Sequence, residues 1–94
     1  MRAYLIFGYN SEASSDAGVE KSIGSPDHQR LGQRLRDLRE AAGLRQVELA
    51  ERLGVAQSFV SNVENGERRL DLIELRQVCR ALDADLVELV REFA

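Results

Sequence analysis

Two short stretches of helical pattern, separated by a very tight turn, restrict the fold more than any other feature of this sequence. The first has apolar residues at the spacing of one helix face and stops at Gly54, a residue type that ends helices in the left-handed conformation. The second starts after Val55 and Ala56 and carries Val60 and Val63 among small polar residues. Helices joined so closely cannot lie antiparallel and have to cross steeply, so residues 46–69 predict a helix-turn-helix.

The second helix of this pair has an unusual outer face. A surface helix more often carries Lys and Glu there, whereas this one presents amides and hydroxyls, on Gln57, Ser58, Ser61 and Asn62. Amides and hydroxyls both donate and accept hydrogen bonds, as the reading of base edges in DNA requires. The pattern therefore favours contact with double-stranded DNA.

The same stretch resembles the DNA-binding core of the XRE family, the lambda-repressor/Cro type of helix-turn-helix. The residues that carry the resemblance are Gln46, the neighbours Leu49 and Ala50, the run Leu53, Gly54 and Val55, then Ser61, Glu64, Asn65 and Gly66. It extends over about residues 31–93 and leaves the first 29 residues uncovered. The resemblance implies an all-α, five-helix lambda repressor-like domain.

Periodicity and capping residues place the five helices. They are expected at about residues 28–42, 46–53 and 57–65, then from Asp71, and finally from Asp83 or Asp85 to about residue 93. Asp27 is the expected cap of the first helix, and Asp71 with Glu74 three residues later reads as a capping box. The predicted buried face of the fourth helix is Leu72, Leu75, Val78, Cys79 and Leu82.

The part before the helices is a different kind of sequence. We expect residues 1–27 to form an N-terminal extension and linker, and residues 28–94 to form the helix-turn-helix domain. The first ten residues are rich in strand formers and are either a disordered tail or a short strand. A lone strand has to pair with a dimer mate or with a protein partner, because it is unstable by itself in water.

Charge and composition narrow the class of protein. Net charge is −3, but residues 30–69 hold eight Arg against six acidic residues, whereas the flanking parts are net negative. This polarity is modest, and an ordinary mixed surface would look similar. A single cysteine, no membrane-length apolar run and no signal-peptide pattern indicate a cytoplasmic protein without a membrane segment.

The resemblance implies roles for individual residues in DNA binding. Gln46 anchors the DNA backbone beside Gln57, while Gln57, Ser58 and Asn62 lie in the major groove. Gln and Asn suit adenine, and no Arg or Lys is present to read guanine, so A·T positions are expected. Ser61 has three open roles, in base contact, in phosphate contact or as plain helix surface. The remaining DNA-binding candidates are Phe59, Arg45, Arg68 and Arg69.

These remaining candidates have alternatives. Phe59 is an exposed aromatic by periodicity and either packs on a neighbouring helix or touches a thymine methyl group or the sugar backbone. Arg45, Arg68 and Arg69 are either phosphate contacts or solvated surface residues. Arg45 and Ala56 stand where the family usually has a capping Ser or Thr, and Glu67 replaces a commonly basic residue. These departures put high non-specific DNA affinity in doubt.

Two further groups are predicted to be structural. By resemblance, Arg39 forms an ion pair with Glu64 that ties the first helix to the third and fixes the angle of the recognition helix. The last helix has more apolar residues than one buried stripe needs, and this predicts a homodimer interface made of Leu86, Val87, Leu89, Val90 and Phe93. The alternative is that Val87 or Val90 covers the first helix.

The residues give catalysis little support. His28 is the only histidine and lies at the domain edge, Cys79 is predicted to be buried, and neither a metal-ligand cluster nor a nucleophile–base pair is present. We expect no catalytic residues, no metal, no cofactor and no enzyme activity. The leading hypothesis is a dimeric transcriptional regulator, a repressor since no sensor segment is recognisable, that binds a palindromic operator. A restriction-modification controller is a narrower form, and an antitoxin or other interaction module that uses residues 1–10 is the alternative.

Overall fold

A computed structural model describes residues 25–94, and all regular structure within this range is helical. The five helices are α1 Pro26–Ala41, α2 Gln46–Leu53, α3 Gln57–Glu64, α4 Leu72–Leu82 and α5 Leu86–Arg91. The prediction of an all-α, five-helix domain is confirmed. The strand or tail predicted for residues 1–10 and most of the predicted linker lie outside the described residues.

The start of α1 differs from the sequence-based prediction. Ser25, and not Asp27, is the N-cap, and its Oγ accepts a hydrogen bond from the His28 N–H at 3.1 Å. Pro26 explains the difference, because proline fits the first helical position, where its missing N–H would have no partner anyway. Asp27 lies instead in the first turn, where its carboxylate accepts a hydrogen bond from Arg30. Its negative charge also interacts favourably with the positive end of the helix dipole.

The core draws on all five helices. Leu35 of α1 and Cys79 of α4 are its most deeply buried side chains, and α2 packs against both α3 and α4. The other buried apolar residues are Leu49, Ala50, Val60, Val63, Val78, Leu82 and Leu89. The prediction that Leu72 belongs to the buried face of α4 is wrong, since this side chain is 63% exposed. In that first turn Glu74 turns inward, because its carboxylate accepts a hydrogen bond from the Asp71 N–H at 2.8 Å.

A glycine lets α1 approach the recognition helix closely. A Cβ atom on Gly32 would lie 2.6 Å from the carbonyl oxygen of Val63 and 2.7 Å from that of Glu64. Both contacts are with backbone atoms at the end of α3, which no rotamer change can move. Gly32 therefore sets the distance between α1 and α3.

The junction of α4 and α5 uses two aspartates. Asp83 ends α4 in the left-handed conformation, with φ of 56°. Asp85 is the N-cap of α5, and its Oδ1 accepts from the Val87 and Glu88 N–H groups at 2.9 and 3.2 Å. Of the two predicted starting residues, Asp85 is the one that begins the last helix.

Candidate nucleic-acid interface

The turn between α2 and α3 has the geometry that the sequence predicts. Gly54 adopts a left-handed φ of 73°, and the Val55 N–H donates back to the Ala50 carbonyl at 3.0 Å, which closes the end of α2. Ala56 then precedes α3 in an extended conformation without a side-chain cap. Only three residues, Gly54, Val55 and Ala56, therefore separate the two helices.

At the start of α2, a hydrogen bond from the following turn partly replaces the missing side-chain cap. Arg45 has no side-chain acceptor for the free N–H groups of α2, but the Glu48 carboxylate reaches back to the Arg45 N–H at 2.8 Å. This hydrogen bond, followed by that from the Arg45 side chain, lowers the pKa of Glu48. Half of a capping box therefore remains at the start of α2.

The outer face of α3 is polar and accessible. Gln57, Ser58 and Asn62 are exposed and Ser61 is half-buried, while Val60 and Val63 face the core. Residues at positions i, i+1, i+4 and i+5 share one side of a helix, so the four polar residues form a continuous strip. We call this strip, Gln57, Ser58, Ser61 and Asn62, the polar face of α3.

An ion pair holds the opposite side of α3 in place. Arg39 of α1 donates through Nε to Glu64 Oε2 at 2.6 Å and through Nη2 to Glu64 Oε1 at 3.0 Å. Its Nη1 also donates to the Leu44 carbonyl at 2.8 Å, so the loop between α1 and α2 is included. The Glu64 side chain is only 1% exposed and that of Arg39 only 10%. The contact joins α1, the following loop and the end of α3.

The charge state of Glu64 follows from its partners. Burial by itself raises the pKa of this carboxyl, but hydrogen bonds from Arg39, Gln46 and Arg36, together with the positive charge of Arg39, outweigh burial. The pKa of Glu64 therefore lies below its ordinary value. At neutral pH the residue is a carboxylate that only accepts hydrogen bonds.

The structure also brings together Gln46, Gln57 and Glu64. Gln57 Nε2 donates to Gln46 Oε1 at 3.3 Å, and Gln46 Nε2 donates to Glu64 Oε1 at 3.0 Å. The resemblance implies the first of these contacts. The second was not expected, because the pattern of the sequence gives no sign that the beginning of α2 reaches the end of α3.

Arg36 is a residue that the sequence analysis missed. Its Nε donates to Glu64 Oε1 and its Nη2 to Asn65 Oδ1, both at 3.3 Å. Arg36 precedes Arg39 by three positions, so the two guanidinium groups lie on the same side of α1. That spacing is a signal that could have identified Arg36 as a second partner of Glu64.

The other predicted DNA-binding residues lie around the polar face. Arg45 is exposed at the start of α2, whereas Arg68 and Arg69 are half-buried between α3 and α4. Phe59 is half-buried against the core, so the prediction of an exposed aromatic is wrong. The Arg68 guanidinium lies over its ring, 5.3 Å from the centroid. This placement favours the packing alternative for Phe59.

The five residues predicted to form a dimer interface are divided between the surface and the core. Val87 and Val90 of α5 are exposed and Leu86 and Phe93 are half-buried. Leu89 is 3% exposed within a single copy, so it offers little surface to a second copy. Its side chain belongs to the buried apolar core that all five helices share.

Metal and membrane features are not found in the described part of the molecule. Between residues 25 and 94, no group of three or more His, Cys, Asp or Glu side chains could hold a metal ion. Burial raises the pKa of the Cys79 thiol, with a smaller effect from Asp85, so Cys79 is mostly protonated at neutral pH. None of the helices from α1 to α5 is long and apolar enough to span a membrane.

Fold and site together define a helix-turn-helix protein of the XRE-like class. A family model described as a helix-turn-helix domain matches residues 30–93, and the chain belongs to this family. The uncharacterized HTH-type transcriptional regulator y4dL of Sinorhizobium fredii is 42% identical over 57 residues, which are 61% of this chain. The match spans only 29% of the length of y4dL.

Solved structures show the same fold. An XRE-family like protein from Pseudomonas syringae pv. tomato is 45% identical, with a TM-score of 0.68, over 81% of this chain and 93% of that one. The restriction-modification controller C.AhdI from Aeromonas hydrophila is 42% identical, with a TM-score of 0.65, over 69% and 98%. The biofilm regulator SinR, solved in complex with DNA, is 34% identical, with a TM-score of 0.57, over 64% and 97%.

Proposed function

We propose that this protein is a sequence-specific DNA-binding transcriptional regulator that binds a palindromic operator as a homodimer and acts as a repressor in the cytoplasm. The observation that carries the proposal is the polar face of α3. Gln57, Ser58 and Asn62 are exposed on a helix whose other side is fixed to α1 by the Arg39–Glu64 ion pair. A helix held in this way, with accessible amides and a hydroxyl, is suited to enter a major groove.

Residues around this face supply the contacts that orient a duplex. Arg45 and Gln46 at the start of α2, with Arg68 and Arg69 after α3, are the proposed phosphate contacts. Ser61 is half-buried at the edge of the polar face and is proposed to contact the backbone instead of a base. Gln57 and Asn62 suit adenine, so each half-site is proposed to contain A·T pairs.

The accessible surface of α5 supports the homodimer. Val87 is 59% exposed and Val90 is 41% exposed. Beside them an open apolar cavity of about 300 Å³ lies between α1, α4 and α5, and Leu31, Leu75 and Phe93 contribute to its lining. An apolar surface of this kind is suited to a symmetric contact in which each copy offers the same residues. Two recognition helices would then lie about one DNA turn apart, which requires a palindromic site.

The similarity to C.AhdI supports a narrower form of the proposal, a restriction-modification controller. The similarity to SinR and to y4dL supports regulators of other kinds equally well. The target genes therefore distinguish these forms. The alternative function, an antitoxin or other interaction module, depends on residues 1–10 and stays a prediction, because they lie outside the described residues.

The first experiment is fluorescence anisotropy with labelled DNA from upstream of the protein's own gene. We expect tight binding that is lost on scrambling the sequence, with a steep decrease in affinity as salt increases, because each phosphate contact releases counterions. Equal and weak binding to both duplexes would contradict the proposal for this DNA. Duplexes from upstream of neighbouring methyltransferase or nuclease genes then test the narrower form.

Two variants separate DNA reading from protein interaction. The double substitution Gln57→Ala and Asn62→Ala should abolish the difference between specific and scrambled DNA, while Gln77→Ala, at an exposed glutamine of α4, should retain it. Deletion of residues 1–20 should leave specific DNA binding intact. If biological activity survives the double substitution and is lost with the deletion, the interaction module is the better description.

A further inference from the structure

One connected set of hydrogen bonds links the buried ion pair to the polar face of α3. Arg39 holds both oxygens of Glu64, Gln46 donates to Glu64 at 3.0 Å, and Gln57 donates to Gln46 at 3.3 Å. We call the three residues Glu64, Gln46 and Gln57 the Glu64 relay. It begins at a carboxylate buried between α1 and α3 and ends at an exposed amide.

The relay has a direction because its first member is ionised. A carboxylate has no proton to donate, so Gln46 has to turn its amino group toward Glu64. This leaves the Gln46 carbonyl oxygen facing Gln57, which in turn has to present its own amino group. The buried negative charge of Glu64 therefore fixes the orientation of both amide groups, that of Gln46 directly and that of Gln57 through Gln46.

The orientation of the Gln57 amide determines which hydrogen-bond donor and acceptor it presents to a base. One N–H of its amino group is used for Gln46, so the second N–H and the carbonyl oxygen remain for the DNA. Adenine presents N7 as an acceptor and the N6 amino group as a donor in the major groove. The remaining donor and acceptor of Gln57 match this pair of groups.

We propose that Glu64 is a positioning residue for base recognition, which fixes the Gln46 amide and thereby the donor and acceptor order of Gln57. The inference rests on the proposed function, in which Gln57 reads a base. A glutamine amide can rotate by half a turn with almost no change in shape, so without the carboxylate both orientations of Gln46 are available. Glu64 thus has a second role besides holding α3 against α1.

The substitution Glu64→Gln tests this role directly. Glutamine keeps the shape and can still accept from Arg39, but it can also donate to Gln46, so the relay loses its single direction. Sequences preferred by the wild-type chain are first selected from randomised duplexes. The base pair at which Gln57→Ala loses its preference then marks the contact of Gln57.

The decisive measurement compares affinities for four duplexes that differ only at that base pair. For Glu64→Gln we expect discrimination between adenine and the other bases to fall by about tenfold or more, as for the loss of a bidentate contact. Preference at the other base pairs should be retained. Glu92→Gln is the matched control, because it makes the same change in an exposed carboxylate bound to Arg34, and its base preference should equal that of the wild type.

A second variant makes the test independent of the ion pair. Gln46→Met removes the middle amide but leaves the Arg39–Glu64 contact, so it should lose the same preference even if Glu64→Gln does not fold, as judged by circular dichroism. A folded Glu64→Gln variant, or Gln46→Met, that keeps the wild-type base preference would overturn the proposal. An equal loss of affinity for all four duplexes would also overturn it, because such a loss indicates that Glu64 has a structural role alone. A wild-type chain without any base preference would overturn the proposed function itself.

Discussion

Replacing Arg39 by Ala leaves the Glu64 carboxylate buried with only Arg36 and Gln46 as partners. Loss of one partner from a buried ion pair destabilises a protein by about 3–5 kcal/mol, and the two remaining partners place the expected loss near the lower end. This loss in the free energy of unfolding is measured by urea titration, with circular dichroism as the signal. Arg34→Ala is the control, since its partner Glu92 is exposed and the expected loss is below about 1 kcal/mol.

The same pair predicts a pH dependence with a definite sign. Because the pKa of Glu64 is lowered by folding, its contribution to the free energy of unfolding is complete above the ordinary pKa of a glutamate, about 4.3. It is lost as the pH falls through the lower pKa of the folded state. The difference between wild type and Arg39→Ala should therefore shrink in acid, and a difference that stays constant from pH 7 to pH 3 would contradict this account.

Gly32 is the second single residue on which the position of α3 depends. Gly32→Ala would normally favour a helix, but here the new Cβ would meet the Val63 and Glu64 carbonyl oxygens at 2.6 and 2.7 Å. We expect a loss of about 1–3 kcal/mol, typical of overpacking, and weaker specific DNA binding because α3 has to shift. Gln33→Ala, at the next and exposed position, should have a free energy of unfolding within about 0.5 kcal/mol of the wild-type value. A Gly32→Ala protein as stable as the wild type would show that α1 and α3 separate freely.

At the scale of the secondary-structure element, the uncapped start of α3 is an opportunity for stabilisation. Ala56 has the extended backbone of an N-cap but no side-chain acceptor. Ala56→Ser should add about 1 kcal/mol, because the hydroxyl can accept from a free N–H of the first turn. For a domain of this size that corresponds to a rise in melting temperature of about 4–8 °C. Ala41→Ser, inside the last turn of α1, should give no such rise, and an unchanged melting temperature for Ala56→Ser would contradict the expectation.

The elements also indicate how far the sequence alone can predict this protein. Helical periodicity and Gly54 placed α2 and its turn correctly, since these are local signals. Burial in the first turn of α4 was misjudged, because Leu72 is exposed and Glu74 is drawn inward by its hydrogen bond to Asp71. The contact of Gln46 with Glu64 joins residues that are 18 positions apart, so only the packed structure reveals it. Local pattern thus predicts the elements, while tertiary packing determines which polar groups meet.

At the scale of the whole molecule, the proposed dimer predicts a dependence of both mass and DNA binding on α5. Val87→Asp combined with Val90→Asp places two charges on the accessible apolar surface of this helix. We expect the wild type to sediment as a dimer at micromolar concentration and the double variant as a monomer, because unpaired charges oppose burial in an interface. The variant should keep its helical circular dichroism, since both side chains are exposed in the single copy.

Leu72→Asp tests whether the dimer interface lies on α4 instead, because Leu72 is also apolar and exposed but belongs to that helix. If Leu72→Asp dissociates the dimer and the α5 variant does not, the interface lies on α4. If α5 is the interface, its variant should still bind a single half-site weakly, because the polar face of α3 is unchanged. It should lose the steep advantage of the palindrome, since two recognition helices then no longer bind as one unit. Sedimentation equilibrium and anisotropy on half-site and full-site duplexes together distinguish a broken dimer from a damaged reading helix.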